Sequence, residues 1–318
     1  MDESLGSDPK KSSGFLANMP GEIIRVGACS MAAIPGNTDE NLQKIKQWTK
    51  KAIEEKIELL LFPELSLSGY WLSTELYFEA QARDGPAVKE LIAFLNELDS
   101  DIVISVGLAE KYGGCIYNCQ VLLDRHGERY YYRKSHWPHA EMGTWSCGDR
   151  YPVHRFQDFN IGTCICYDNN FPEIHRIYAL EGADLLLCPY AYGGKYDVAD
   201  PATVKKAIFD WKDKERVFLR CAASSNYVWI VSCVGGGHVK DYHVEAGQKN
   251  GQEYYFPGVI FFVSPDGKIV KESPDDEITE RLMWQDVSLL ANLEQRRGNY
   301  NHFKDRRTAT YGRLCELP

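Results

Sequence analysis

The sequence predicts an α/β protein with mixed sheets and helices outside them. Short apolar runs of strand length alternate with stretches whose apolar residues recur at helical spacing, along nearly the whole chain. Hairpin signals are interspersed, so antiparallel pairs are expected beside parallel ones. The chain has 318 residues, 44% hydrophobic and 25% charged, enough to bury a large core without a metal or a disulfide framework. No repeat, low-complexity block or Pro/Gly/Ser linker interrupts it. One domain is expected over 21–290, after a flexible tail at 1–20 and before a polar, basic-rich arm at 291–318 that packs on a partner subunit.

The elements follow in order. IIRVGAC (23–29) reads as a strand. Over 39–56, Leu42, Ile45, Trp48, Ala52 and Ile53 share one helical face. IELLLF (57–62) is an unbroken apolar run, as in a strand buried on both faces. A helix opens at Pro86, whose fixed φ suits a first turn, and turns Val88, Leu91, Ile92 and Leu95 inward. IVISVGL (102–108) and CIYNCQVLLD (115–124) are strands, followed by a DRHGE turn and a YYYRK strand. NIGTCIC (160–166) is a strand running to Cys166, PEIHRIYALEGA (172–183) a helix with a Gly stop, and DLLLCPY (184–190) a strand. A long helix at 201–221 and the strand VWIVSCV (228–234) come next. The Gly-rich VGGGH is then a loop needing positive φ or close approach, and 254–273 a hairpin with a Pro-Asp-Gly turn.

Composition excludes several functions. The formal net charge is −9, and no long basic run offers the clustered Lys and Arg of sequence-independent nucleic-acid binding. No stretch approaches the ~20 apolar residues of a spanning helix. The N-terminus lacks a signal peptide's basic and apolar regions. Ten cysteines, irregularly spaced, read as reduced thiols in a cytoplasmic setting. Cys115 and Cys119 lie within one expected strand and have no second ligand pair at zinc spacing, so no structural metal is expected. Glycine-rich segments lack both the P-loop Lys and the dinucleotide fingerprint.

Three polar residues end apolar strands, where a sheet presents side chains to a cleft. Glu64 follows LLLFP, and a partly desolvated carboxylate there suits a general base as well as a simple turn cap. Lys134 follows three tyrosines; it is either an oxyanion donor or a snorkelling surface lysine. His136, two residues on, is an acid–base group or a structural one. Cys166 sits at a strand-to-helix turn, where unpaired backbone N–H groups favour a thiolate and can hold an oxyanion. Cys164 and Cys188 compete with it as strand-end thiols. There is no G-x-S-x-G elbow and no papain- or caspase-type signature.

Together these segments resemble the nitrilase superfamily of carbon–nitrogen hydrolases. F-P-E-x-x-x-x-G-Y is matched at Phe62–Tyr70, Y-R-K-x-H at Tyr132–His136 and C-x-D-x-x-F-P-E at Cys166–Glu173, in the family's order. Glu141, seven residues after Lys134, falls where the family has a supporting glutamate. YNC (117–119), GADLLLCP (182–189) and the Ser-Pro-Asp-Gly turn (264–267) are weaker echoes. The resemblance implies a four-layer α-β-β-α sandwich, assembled into homodimers or larger homo-oligomers through the helices after the nucleophile strand. It also implies roles. Cys166 is the nucleophile and Glu64 the base and acid. Lys134, with the Tyr167 N–H, holds the oxyanion, and Glu141 supports Lys134. It places Cys166 ahead of Cys164 and Cys188 and requires no cofactor or metal. Tyr70, Trp137, Tyr167, Asn169, Asn170 and Tyr190 are expected to meet the substrate, with Trp145 and Tyr192 near them as walls for an apolar acyl group.

Within the family, Cys166-Tyr167-Asp168 differs from the C-W-E of true nitrilases. Asn169 and Asn170 stand where N-carbamoyl-D-amino-acid hydrolases carry two arginines. The pattern C-x-D-x-N-F-P-E-I-x-R is similar to aliphatic amidases and formamidases, whereas the Arg-rich ending resembles carbamoylase-like and nitrilase tails. The expected activity is hydrolysis of a small linear amide through a cysteine thioester. N-carbamoyl hydrolysis is the main alternative, followed by nitrile hydrolysis or acyl transfer, and then a silent binding protein on the same fold.

Overall fold

The computed structural model describes residues 23–70, 76–193, 201–239, 254–275, 278–298 and 301–316; the expected tail at 1–20 lies outside them. The first half contains β1 (Ile23–Ser30), α1 (Thr38–Glu54), β2 (Leu59–Leu61), α2 (Leu76–Glu79), α3 (Pro86–Glu97), β3 (Val103–Tyr112), β4 (Cys115–Asp124) and β5 (Gly127–Arg133). The second contains β6 (His154–Phe156), β7 (Phe159–Thr163), α4 (Pro172–Leu180), β8 (Leu185–Tyr190), α5 (Pro201–Asn226), β9 (Trp229–Val234), β10 (Gly236–Val239) and β11 (Tyr254–Pro257). It ends with β12 (Ile260–Val263), β13 (Ile269–Glu272), β14 (Arg281–Ser288) and α6 (Leu289–Arg296). Local chemistry sets the starts. The Asn37 side chain accepts from the Glu40 N–H to cap α1, and prolines open α3 and α4.

Two six-stranded sheets result, ordered β14-β1-β2-β3-β4-β5 and β13-β12-β9-β8-β7-β6. Each has three parallel strands at its centre, β1-β2-β3 and β7-β8-β9, with antiparallel strands outside. The period-2 alternation of β2 shows how the layers form. Leu59 and Leu61 enter the core between the sheets, while Leu60 faces the α1/α3 layer with Ile45 and Leu91. Burying each such leucine contributes roughly 1.5–3 kcal/mol. On the other outer face, Leu186 and Ile230 pack under Tyr178 of α4 and Leu219 of α5. The four-layer sandwich is therefore the architecture found. Among the described residues no helix is long and apolar enough to cross a membrane.

Several expectations are corrected. The strand expected over 160–166 ends at Thr163. The Asp168 carboxylate accepts the Ile165 N–H, and Cys166 lies at φ 50°, outside the strand region. VGGGH is not all loop, since β10 pairs with β11 as a two-stranded ribbon. Close approach does apply there: a Cβ on Gly236 would stand 2.3 Å from the Thr279 carbonyl oxygen. That pairing splits the 254–273 hairpin, leaving β12–β13 as the hairpin, turned at Gly267. β14 has no clean sequence signal because it is an edge strand of mixed, half-buried residues, held to β1 by the Arg25–Asp286 pair and by Arg25 over Trp284. Apart from these corrections, α6 at the start of the 291–318 stretch makes contacts with the second sheet's layer. Asn292 donates to the carbonyls of Asp184 and Tyr227, and Arg296 pairs with Asp184. Cys115 and Cys119 sit four residues apart on β4, about 13 Å at strand rise, too far to share a metal.

Candidate active site

Four strand ends meet at one edge of the two sheets. β2 leads into Phe62-Pro63-Glu64, β5 into Lys134, β7 into Ile165-Cys166 and β8 into Ala191. In parallel sheets this carboxyl edge is where clefts open. Glu64 is 2% exposed and joins the two sheets. Its Oε1 accepts from Asn118 Nδ2 of β4 at 2.7 Å and from Lys134 Nζ at 2.8 Å. Its Oε2 accepts the Ala191 N–H, from the second sheet, at 2.7 Å.

Lys134 is also fully enclosed. Its Nζ donates to both Glu141 oxygens, at 3.1 and 2.9 Å, and Tyr70 OH donates to Glu141 Oε1 at 3.0 Å. Burial opposes the charge on Lys134, but Glu64, Cys166 and Glu141 outweigh it and raise the ammonium above its ordinary value. Burial likewise pushes the Glu141 carboxyl up, with Lys134 opposing.

The loop carrying Glu64 is seated on β3 at Gly107. Gly107 N–H donates to Ser66 Oγ and Leu67 N–H to the Gly107 carbonyl. A Cβ on Gly107 would stand 2.2 Å from Leu65 N and 3.0 Å from the Glu64 carbonyl carbon. Gly107→Ala is therefore expected to cost about 1–3 kcal/mol and to lower activity beyond that loss, because it shifts Glu64. Melting temperature and hydrolysis rate measured together check this; wild-type values for both would contradict it.

Cys166 opens a short turn over Cys166–Asn170, in the left-handed region at φ 50°. That conformation costs a non-glycine residue on the order of 1–3 kcal/mol, and buried polar groups hold it in place. Asn169 Nδ2 donates to the carbonyls of Cys164 and Cys166, and its Oδ1 accepts from His175 Nε2. Burial pushes His175 down to about 4, so the ring is a neutral donor. Asp168, wholly buried, accepts from Tyr132 OH, the Ile165 N–H, Ser135 Oγ and the His136 N–H. It thereby ties the loop after Lys134 to the loop of Cys166. His136 stacks on Phe171 at 4.1 Å and faces Asp168, which gives it a structural place. The expectation of a favoured thiolate is corrected. Burial, then Glu64, push the Cys166 thiol well above its ordinary value, and Lys134 offsets only part.

Cys166 lines a cleft of about 480 Å³ together with Tyr167, Asn170, Tyr190 and Tyr192. The remaining expected contacts separate. Tyr70 reaches Glu141, on the far side of Lys134. Asn169 does not face the cleft, because its amide is spent on the turn behind Cys166. Trp137 is half-buried, and its neighbour Pro138 lines the cleft instead. Trp145 packs in a separate cluster with Leu65, Leu76 and Ala109. Cys164 and Cys188 are fully buried in the outer core, away from the opening. Sequence reading missed Asn118 as a partner of Glu64, although it lies in the YNC echo. It also missed Trp211 and Glu215 of α5, which line the cleft from mid-helix positions with no motif to mark them.

Comparison with known proteins agrees with this layout. The carbon-nitrogen hydrolase family model matches residues 25–290. An (R)-stereoselective amidase from a Pseudomonas species is 26% identical over 299 residues, 93% of this chain and 96% of the relative. N-carbamoylputrescine amidase of Solanum lycopersicum is 26% identical over 306 residues, again 93% and 96%. A carbon-nitrogen hydrolase from Helicobacter pylori G27 shares the fold, with a TM-score of 0.77 at 22% identity over 93% of this chain and 99% of that one. With the family model spanning both sheets and every strand end that meets at the cleft, the chain belongs to the carbon–nitrogen hydrolases of the nitrilase superfamily.

Proposed function

We propose that this protein hydrolyses the carbon–nitrogen bond of a small linear amide through a thioester on Cys166. The observation that carries the reading is the single buried cluster of Glu64, Lys134 and Glu141 beside the cleft that Cys166 lines. Glu64 accepts three hydrogen bonds, two of them on Oε1. A carboxylate has about four lone-pair sites, so Oε2 keeps one for a proton. The raised thiol makes a base necessary. As Sγ attacks the carbonyl carbon, its proton passes to Glu64. The oxyanion is held by Lys134 Nζ and the Tyr167 N–H, and Glu64 then protonates the leaving nitrogen. Ammonia or an amine departs, leaving the acyl thioester. Glu64 next takes a proton from water, whose oxygen attacks the thioester, and the acid leaves as the thiol is restored. Glu141 keeps Lys134 charged and aimed. Tyr167, Asn170 and Tyr190 contact the acyl group.

N-carbamoyl hydrolysis is a second reading, favoured by the similarity to N-carbamoylputrescine amidase. Assembly into homodimers or larger homo-oligomers is part of the proposal. It is supported by the exposed apolar residues Ile177 and Leu180 of α4 and Val217 of α5, on the helices after the nucleophile turn.

A panel of simple amides, N-carbamoyl amino acids and nitriles, assayed for ammonia with intact-protein mass recorded in parallel, tests the reaction. Ammonia from amides with an acyl adduct on the protein is the expected result. Carbon dioxide released with the ammonia would move the assignment to the carbamoyl reading. Silence across the panel, with Cys166 inert to a thiol-specific electrophile, would overturn both.

A further inference from the structure

Glu215 is 3% exposed on α5, yet it lines the cleft that Cys166 lines. Its only hydrogen bond among the described residues comes from Tyr190 OH to Oε2, at 2.7 Å. The other oxygen, Oε1, has no protein donor there. Among the described residues no Lys or Arg makes an ion pair with it. Burial pushes its carboxyl up, opposed by the Tyr190 hydrogen bond and then by Lys214, an exposed residue that lines the same cleft, so a cation brought against Glu215 would restore the charged form. The catalytic cluster offers it no cation either, since Lys134 is already shared by Glu64 and Glu141. A buried carboxylate in this condition lacks a partner that the fold does not supply.

The walls around it are aromatic. Tyr192 stacks on Trp211, with ring centroids 5.2 Å apart and 18° between planes, and Tyr190 meets Trp211 edge-on at 5.5 Å. Aromatic faces with a carboxylate at their inner end match an organic ammonium, which gains both from the ring quadrupoles and from the charge. They do not match a substrate carboxylate, which would meet Glu215 with like charge. The one acid among the other cleft residues, Asp210, is exposed and already paired with Lys206.

From this we infer that Glu215 is a specificity-determining residue that receives a protonated amine at the far end of the substrate, so that the cleft selects aminoalkyl amides. The inference rests on the amide-hydrolysis reading for the end of the substrate that faces Cys166. Glu215 itself takes no part in bond breaking.

The test compares kcat/KM for 5-aminopentanamide and for hexanamide, its uncharged isostere, in the wild type and in Glu215→Gln, which keeps an acceptor for Tyr190. The expected result is a wild-type preference of at least tenfold for the aminated amide, falling at least tenfold in the variant. A wild type without that preference, or a preference unmoved by the substitution, overturns the proposal. Glu215→Asp, which retains the charge one methylene further back, is the second variant should Gln disturb folding; it is expected to keep a weakened preference, and full loss together with an unchanged melting temperature would count against the charge. If the wild type hydrolyses neither amide, the hydrolysis reading falls and calorimetry with n-pentylammonium decides this one. Binding at least tenfold weaker in Glu215→Gln upholds the ammonium site, and equal binding overturns it.

Discussion

Cys166→Ala is expected to abolish ammonia release and the acyl adduct with the fold intact, whereas Cys164→Ala keeps turnover. The loss in the first should be on the order of a millionfold, the scale reached when the nucleophile of an acyl-enzyme hydrolase is removed. Position decides between the two thiols. Cys166 lines the cleft, and its charge is coupled to Glu64 and Lys134. Cys164 lies wholly buried among Ile174, Tyr178 and Cys188, where truncation costs roughly 1 kcal/mol of packing and touches no reacting group. Both thiols are held up by burial, so neither is a resting thiolate by its surroundings alone. Without substrate, alkylation of Cys166 is therefore expected to climb with pH into the alkaline range, because the thiolate fraction rises only as pH approaches the raised value. A plateau near neutrality would contradict that. Equal loss of turnover in both alanine variants, with unchanged melting temperatures, would sink the assignment of Cys166.

Which parts of this site are legible in the sequence follows from how each is specified. Glu64, Lys134 and Cys166 can be read because each polar residue closes or follows an apolar run and lies within three residues of a strand end, which fixes the edge of the sheet it reaches. The parallel cores of both sheets are legible for a similar reason, since strands such as β2 and β8 are buried on both faces. Asn118 and Glu215 are different. One lies within a strand and the other within a helix, and each matters through a partner 54 or 25 residues away. The end of the strand before Cys166, at Thr163 rather than at Cys166, is not legible for the same cause. Ile165 leaves the sheet because Asp168 takes its N–H, and Asp168 is fixed in turn by Tyr132, Ser135 and His136, more than 30 residues earlier. Periodicity contains nothing about such contacts. β14 escaped because an edge strand with one solvated face needs no clean alternation. Its charged and aromatic residues are explained only once β1 lies beside it.

Lys134→Met is the second large effect, and it separates chemistry from stability. Losing one oxyanion donor raises the barrier by about 2.7–4 kcal/mol, a 10²–10³-fold loss. Here the loss should be larger. Glu64 and Glu141 both accept from the same Nζ, so removing it leaves two buried carboxylates facing each other without a cation. One of them then holds a proton near neutrality, and a protonated Glu64 is no base. Leaving buried charge uncompensated also destabilises the fold, by about 3–5 kcal/mol. The sign of the pH dependence follows from Glu141, whose folded value burial already raises above its ordinary 4.5. A raised carboxyl contributes stability that is present below the unfolded value and lost as pH rises through the folded one. The substitution raises it further, so the variant's deficit in melting temperature should be smallest near pH 4.5 and grow towards neutrality. A deficit flat across that window would mean the carboxylates are not its source. Adding Glu141→Gln removes one of the two charges, and the double variant should regain stability at neutral pH while remaining slow. Turnover that returned along with the stability would overturn the oxyanion role and leave Lys134 as a structural counter-ion for Glu64.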